Sequence, residues 1–216
     1  MTLWTELVDL LRESMFAYAQ LTNGNLAFGI MAVTLLARLA ILPLTLRLAR
    51  GAAAHQAMVQ RIQPELESVR LTFKNNPRRL AEETQRVFAR HGVSMVPLSG
   101  CMGAIAQTPL LLGLFSAVRQ CAALGGRFMW IRDISKPDVA LALLVAALTA
   151  ASMAAGPQPD AVSQNRVLMI ALPAALTLIA LWQMAAGLGL YWGVSSAVSI
   201  AQGLILRRQV VVRNVG

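Results

Sequence analysis

LAFGIMAVTLLARLAILPLTL, residues 26–46, holds twenty-one residues and a single charge, Arg38. A helix crossing the hydrocarbon layer of a bilayer needs about 20 mostly apolar residues, so this stretch has the length and composition of a membrane span. Residues 96–118, 139–155, 167–182 and 188–206 read the same way. The last two nearly merge. As one helix, residues 167–206 would be about 60 Å long, twice the hydrocarbon thickness, so a tight turn is expected between Gln183 and Gly189. Composition agrees: of 216 residues, 56% are hydrophobic and only 13% charged, with a mean hydropathy of +0.58. Soluble domains carry about a quarter charged residues. The apolar excess excludes a disordered chain, and two cysteines exclude a disulfide scaffold. The expected fold class is all-α, a polytopic membrane protein with five transmembrane helices and a helical hairpin.

Lys and Arg outnumber Asp and Glu nineteen to ten. Thirteen of the nineteen fall in the segment after the first span, in the third-to-fourth loop or at the C-terminus, and five fall on the opposite side. The positive-inside rule then places the N-terminus outside and the C-terminus in the cytoplasm. The expected organisation is an amphipathic interfacial helix over 1–24 on the outer face and a first span over 25–49. A cytoplasmic hairpin over 50–95, spans two to five over 96–208, and a short tail over 209–216 follow. In the first segment Trp4, Leu7, Val8, Leu11 and Met15 recur at helical spacing. Glu6, Asp9 and Glu13 interrupt it, and no basic region precedes an apolar core, so it does not read as a secretory leader.

Residues 50–95 form the only long polar segment and carry a net charge of +4. Met58, Ile62, Leu66, Val69 and Phe73 make one apolar stripe, and Leu80, Val87 and Phe88 a second. Asn75-Asn76-Pro77 separates them as a turn, and Pro64 is expected to break or restart the first arm. The charge reads as a solvated face attracted to anionic headgroups; contact with an incoming polypeptide, a translocation partner or ribosomal RNA is the competing reading. His55 and His91 read as solvated. Cys101 and Cys121, about 30 Å apart on one helix, are beyond disulfide reach.

Arg38 lies thirteen residues after Asn25 and nine before Arg47, too deep to snorkel easily to either surface. An arginine near mid-membrane costs about 2.5–3.5 kcal/mol on insertion scales and keeps its proton. All ten acids lie outside the apolar stretches, so Arg38 must meet water, neutral polar groups or an incoming anion: a wet cavity is expected. Thr34, Arg38 and Thr45 share one face of the first span, and Tyr191, Ser195, Ser199 and Gln202 form a stripe on the last. Gln107 is the one strongly polar residue well inside the second. Ser and Thr in membrane helices more often satisfy themselves on their own backbone carbonyls. There is no Ser/His/Asp, metal-ligand or phosphate-loop constellation, so no enzyme, catalytic residue, metal or cofactor is expected.

Leu36-Ala37-Arg38 leading to Pro43-Leu44-Thr45, then a basic hairpin containing Gln63-Pro64, resembles the YidC/Oxa/Alb membrane protein insertase family. Pro97-Leu98-Ser99-Gly100-Cys101 and Gln107-Thr108-Pro109 are similar to its NPLGGC and QMP patterns, and Trp130-Ile131-Arg132-Asp133 to its W-I-x-D segment. Pro173, Trp182, Gly187 and Leu190-Tyr191-Trp192 match the last two spans. Val96, Ser99, Gly103 and the segment Gln183-Met184-Ala185-Ala186-Gly187 depart from the pattern. The large periplasmic domain of some bacterial members has no counterpart here, so a short form is expected. The resemblance implies a bacterial plasma (inner) membrane protein with spans around a hydrophilic groove, open to cytoplasm and lipid. It would insert and chaperone membrane proteins without nucleotide hydrolysis. Arg38 would attract polar or acidic client segments, with Gln107, Thr34, Ser195 and Tyr191 as further groove residues. Implied partners are nascent membrane-protein clients, the Sec translocon, the ribosome and anionic lipids, with no small-molecule substrate. The alternative is a small anion channel or transporter using Arg38, against which stand the lack of an internal repeat and of any membrane acid.

Overall fold

Away from water a backbone must satisfy its own polar groups, which long apolar stretches do as helices. The computed structural model describes residues 3–95, 98–156 and 166–215; the side chains of residues 98–104, 106, 107, 166 and 209–215 lie outside the description. The described residues form seven helices and no strand: α1 (Leu3–Leu21), α2 (Leu26–Thr72), α3 (Pro77–Arg90), α4 (Leu98–Ala122), α5 (Val139–Ala155), α6 (Arg166–Gln183) and α7 (Ala186–Val215). By length and composition α2 and α7 are apolar enough to cross a membrane, and α5 and α6 are shorter apolar helices. The turn expected between Gln183 and Gly189 falls at residues 184–185.

The first apolar stretch and the first arm of the hairpin are one helix. Asn25 caps α2 by accepting from the Ala27 amide at 3.1 Å, and the 47 residues run about 70 Å. Pro64 does not break the arm. Its ring sits on an exposed part of the helix where the freed Gln60 carbonyl can meet water. The other side is pinned by packing: Ile62, Val87 and Val93 are buried together, flanked by Val59, Leu66, Val69 and Phe88. Met58, assigned to this stripe from spacing, is instead 54% exposed; Val59 takes its place. Asn76 caps α3 with Pro77 in its first turn, as the turn chemistry predicts.

The histidines are not simply solvated. Glu65 spans the base of the hairpin, one carboxylate oxygen 2.7 Å from Arg90 Nη1 and the other 2.7 Å from His91 Nε2. His55 Nε2 lies 2.7 Å from the Ser94 carbonyl. These contacts fasten the far end of α3 back onto α2.

The main core lies where α2, α4, α5 and α7 meet, around Ile30, Leu114, Val118, Val145 and Leu188. The apolar face of α1 packs on protein: Val8, Leu11, Met15 and Ala19 are buried between α2 and α4, whereas Trp4 is exposed. Close approach is possible because Gly29 and Gly113 present no side chain to α1. On the other flank α5 packs on both α6 and α7, while α6 scarcely touches α7. Gly189, Gly193 and Gly203 bring α7 against Leu141, Val145 and Ala155 of α5. The α4–α5 connection is stitched to the α6–α7 turn by bonds from the Ala186 amide to the Lys136 carbonyl and from Gly187 to Ile134, both 2.9 Å. All these connections lie at one end of the bundle.

Two predictions follow from these contacts. A Cβ on Gly29 would overlap the Met15 carbonyl oxygen, a backbone atom, whereas one on Gly189 would meet the mobile Cδ2 of Leu141 at 2.7 Å. Thermal unfolding in detergent should therefore show Gly29→Ala losing about 1–3 kcal/mol and Gly189→Ala clearly less. In the α4–α5 connection, Asp133 accepts from the Ser135 hydroxyl at 2.7 Å and its amide at 2.9 Å. Those bonds hold its carboxyl below the usual range, helped by Lys136 and opposed by slight desolvation. A depressed carboxylate stabilises at neutral pH and loses that contribution only as pH falls through its folded value. In a pH titration the Ser135 amide resonance should therefore begin to move only below the range in which free carboxylates titrate.

Candidate functional site

Arg38 projects from α2 toward α7 and is only 9% exposed. Its Nε donates to Ser195 Oγ at 3.2 Å. Two turns farther along both helices, Gln202 Nε2 donates to Thr45 Oγ1. The two polar stripes predicted on the first and last spans therefore face one another, joined by rungs at Arg38–Ser195 and Thr45–Gln202. Spacings of seven residues on each helix keep the rungs on one seam. None of the five ion pairs among the described residues involves Arg38.

Beside Arg38 opens a cavity of about 810 Å³ walled by α2, α4, α5, α6 and α7. Tyr191 and Ser195, both singled out in the sequence, line it. Tyr191 donates from its hydroxyl to the Leu111 carbonyl at 3.4 Å, tying α7 to α4. Thr34 is fully buried, but its hydroxyl donates to its own helix at the Ile30 carbonyl, 2.6 Å away, and it is not a wall residue. Backbone satisfaction wins there. Gln107 belongs to α4, and its side chain lies outside the described residues.

Sequence reasoning missed the far wall. Thr149 and Ser152 of α5, Thr177 of α6 and Ser196 of α7 all face the cavity. The clue was present: Thr149 and Ser152 stand three apart, on one face, in a helix otherwise made of Ala, Leu, Val and Met. Thr149, Ser152, Thr177 and Ser199 donate to carbonyls of their own helices at 2.8–3.0 Å. Their donor protons are spent, so they offer the cavity mainly lone pairs. Arg38 is thus the strong donor on its wall, and the chamber favours an anionic or hydrogen-bond-accepting guest at that one point. Among the described residues no cluster of three His, Cys, Asp or Glu could hold a metal ion.

The family model described as 60Kd inner membrane protein matches residues 17–213. The chain belongs to the YidC/Oxa/Alb family. It is 25% identical over 198 residues to a membrane protein insertase YidC of Clostridium tetani, covering 89% of this chain and 87% of that one. Identity reaches 30% with the membrane protein insertase YidC 1 of Halalkalibacterium halodurans, over 87% of this chain and 72% of the relative. With the membrane protein insertase MisCA of Bacillus subtilis it is 29%, over 94% and 78%. The family match covers both helices that carry the Arg38 seam.

The seam generates a measurable coupling. Ser195→Ala leaves the buried guanidinium one partner short and should cost about 1–2 kcal/mol. In an Arg38→Met background the same change should cost about 1 kcal/mol less. Strict additivity in that thermal double-mutant cycle would show that Ser195 does not support Arg38.

Proposed function

We propose that the protein is a membrane insertase and chaperone whose client-accepting site is the Arg38 cavity, with no nucleotide hydrolysis. One observation carries this reading: a nearly buried arginine on a cavity wall with a single hydrogen bond to the described protein. Such a group is costly to keep in an apolar bundle, and a purely structural subunit has no use for it. The names of the relatives, all membrane protein insertases, point the same way.

In this reading five helices, α2, α4, α5, α6 and α7, span the bacterial plasma membrane around a groove open to the cytoplasm and to lipid. The N-terminus with α1 lies outside, and the C-terminus inside. Burying a client's polar tail directly in lipid costs several kcal/mol per unsatisfied group. The groove shortens the dry path. Arg38 offers charge-assisted bonds to an acidic tail in a low dielectric, with Ser195 and Tyr191 beside it and Gln107 kept as a further client contact. The apolar part of the client then slides between α4 and α6 into hydrocarbon, and that burial completes the transfer. The α2–α3 hairpin, basic and braced, meets clients or anionic headgroups as they arrive. The Sec translocon and the ribosome are candidate partners on the same grounds.

The test is insertion in cells depleted of their own insertase. Arg38→Ala should lower insertion of a client with an acidic translocated tail by about tenfold, the worth of one charge-assisted contact. A client with an uncharged tail should be little affected. Arg38→Lys, keeping charge but losing the planar fork, should fall between. Wild-type insertion of the acidic client by Arg38→Ala would overturn the role assigned to the groove.

A further inference from the structure

We propose that the cavity is also a lipid site: Arg38 binds the phosphate of an anionic glycerophospholipid, and one of its acyl chains fills the chamber between α4 and α6. Three features support this. The guanidinium, nine-tenths buried, uses only Nε. Its terminal nitrogens have no hydrogen-bond partner among the described residues, and both keep some accessible surface. Four of the chamber's hydroxyls, those of Thr149, Ser152, Thr177 and Ser199, donate to their own helices and so hold out lone pairs that disfavour an anion. Among the described lining residues Arg38 is the one positive charge, and negative charge is best placed there. The rim, finally, is apolar and exposed: Leu112 at 52%, Met153 at 43% and Leu176 at 58%.

These features fit an amphiphile better than a free aqueous anion. An inorganic ion would leave the apolar chamber empty and would have to pass the rim alone. A phospholipid brings head and chain together, and it is present in the membrane before any client arrives. The head also has a path: the Thr45–Gln202 rung and Ser199 mark polar steps along the seam toward the Arg47 end, over about 13 Å of helix. Arginine in a bilayer draws headgroups inward by local thinning, which shortens that distance. The second acyl chain stays outside, across the rim. The proposal rests on the chain lying in a membrane and deepens the insertase reading, since the lipid is the resident that a client must displace.

The experiment uses the full chain in detergent with Trp4, Trp130 and Trp182 changed to Phe, so that Trp192 on the cavity wall reports alone. Phosphatidylglycerol with brominated acyl chains should quench it at about tenfold lower mole fraction than brominated phosphatidylcholine. Arg38→Gln should abolish the difference. Ala180→Phe, which fills the chamber and keeps Arg38, should weaken quenching by both lipids, with helicity by circular dichroism confirming that each variant folds. Equal quenching by the two headgroups, a preference that survives Arg38→Gln, or full quenching in Ala180→Phe would each overturn the proposal. Stronger quenching by brominated oleate than by the phosphatidylglycerol would overturn it in favour of a free fatty acid. Failure of the two readings can be told apart. Lost insertion with retained headgroup preference in Arg38→Gln removes only the lipid site; normal insertion with lost preference removes only the client role.

Discussion

A guanidinium that cannot shed its proton, set in a bundle whose apolar stretches contain no acid, constrains everything packed around it. It cannot be neutralised by a carboxylate on a facing helix, so the fold gives it one hydroxyl and an open space. That space has a geometric cause. The small-residue face of α7, from Gly189 to Gly203, lies so close to α5 that the two pack along their length. α6 packs on the other side of α5 and scarcely meets α7. The gap left between α6, α7 and α4 is the cavity, and α2 supplies the only cation among its described lining residues. Glycines in one helix and a charge in another thus build one site.

Much of this was legible in the residues. The length of each apolar run fixed the helices. The excessive length of residues 167–206 demanded the turn, and helical spacing on two separate spans put Arg38, Thr45, Ser195 and Gln202 on faces that meet. What periodicity could not reveal is which partner a face chooses. The stripe of α1 looked suited to lipid, yet glycines on α2 and α4 made protein the closer partner. Thr34 lay in register with Arg38 but turned to its own backbone, because that bond is intrahelical and independent of tertiary context. The hydroxyls of α5 and α6 went unnoticed, since their value depends on the neighbour opposite. Pro64 misled for a related reason: its cost, about 3 kcal/mol, is local, and the packing of Ile62, Leu66 and Val69 against α3 offsets it.

The two ends of the bundle are held by different physics. At the end carrying the α4–α5 connection, backbone bonds dominate. The paired amides and carbonyls of Phe128 and Ile131, the Ile134 bond to Gly126, and the bonds from Ala186 and Gly187 all join main chain to main chain. Asn25 adds a side-chain tie to the Arg127 carbonyl. Such a network opens only when several bonds break together. At the Arg47 end the described helices are joined instead by side chains: the Thr45–Gln202 rung, the Glu65 pairs with Arg90 and His91, and the His55 contact with the Ser94 carbonyl. Exposed or half-exposed ion pairs are worth at most about 1 kcal/mol each, and they break singly.

Local opening in proteins is drawn from the regions of lowest stability. In the proposed reading, a guest bound for Arg38 would therefore meet less resistance along the Thr45–Gln202 seam than through the stitched end. Each rung it displaces exposes the next one, and a polar guest replaces each lost bond with one of its own. Entry along the seam is stepwise and nearly balanced in hydrogen bonds, whereas entry through the opposite end would demand several unpaired backbone groups at once, at about 1–3 kcal/mol apiece. For the proposed insertase, the direction of entry would thus be favoured by where the fold spends side chains and where it spends backbone, before any partner is involved.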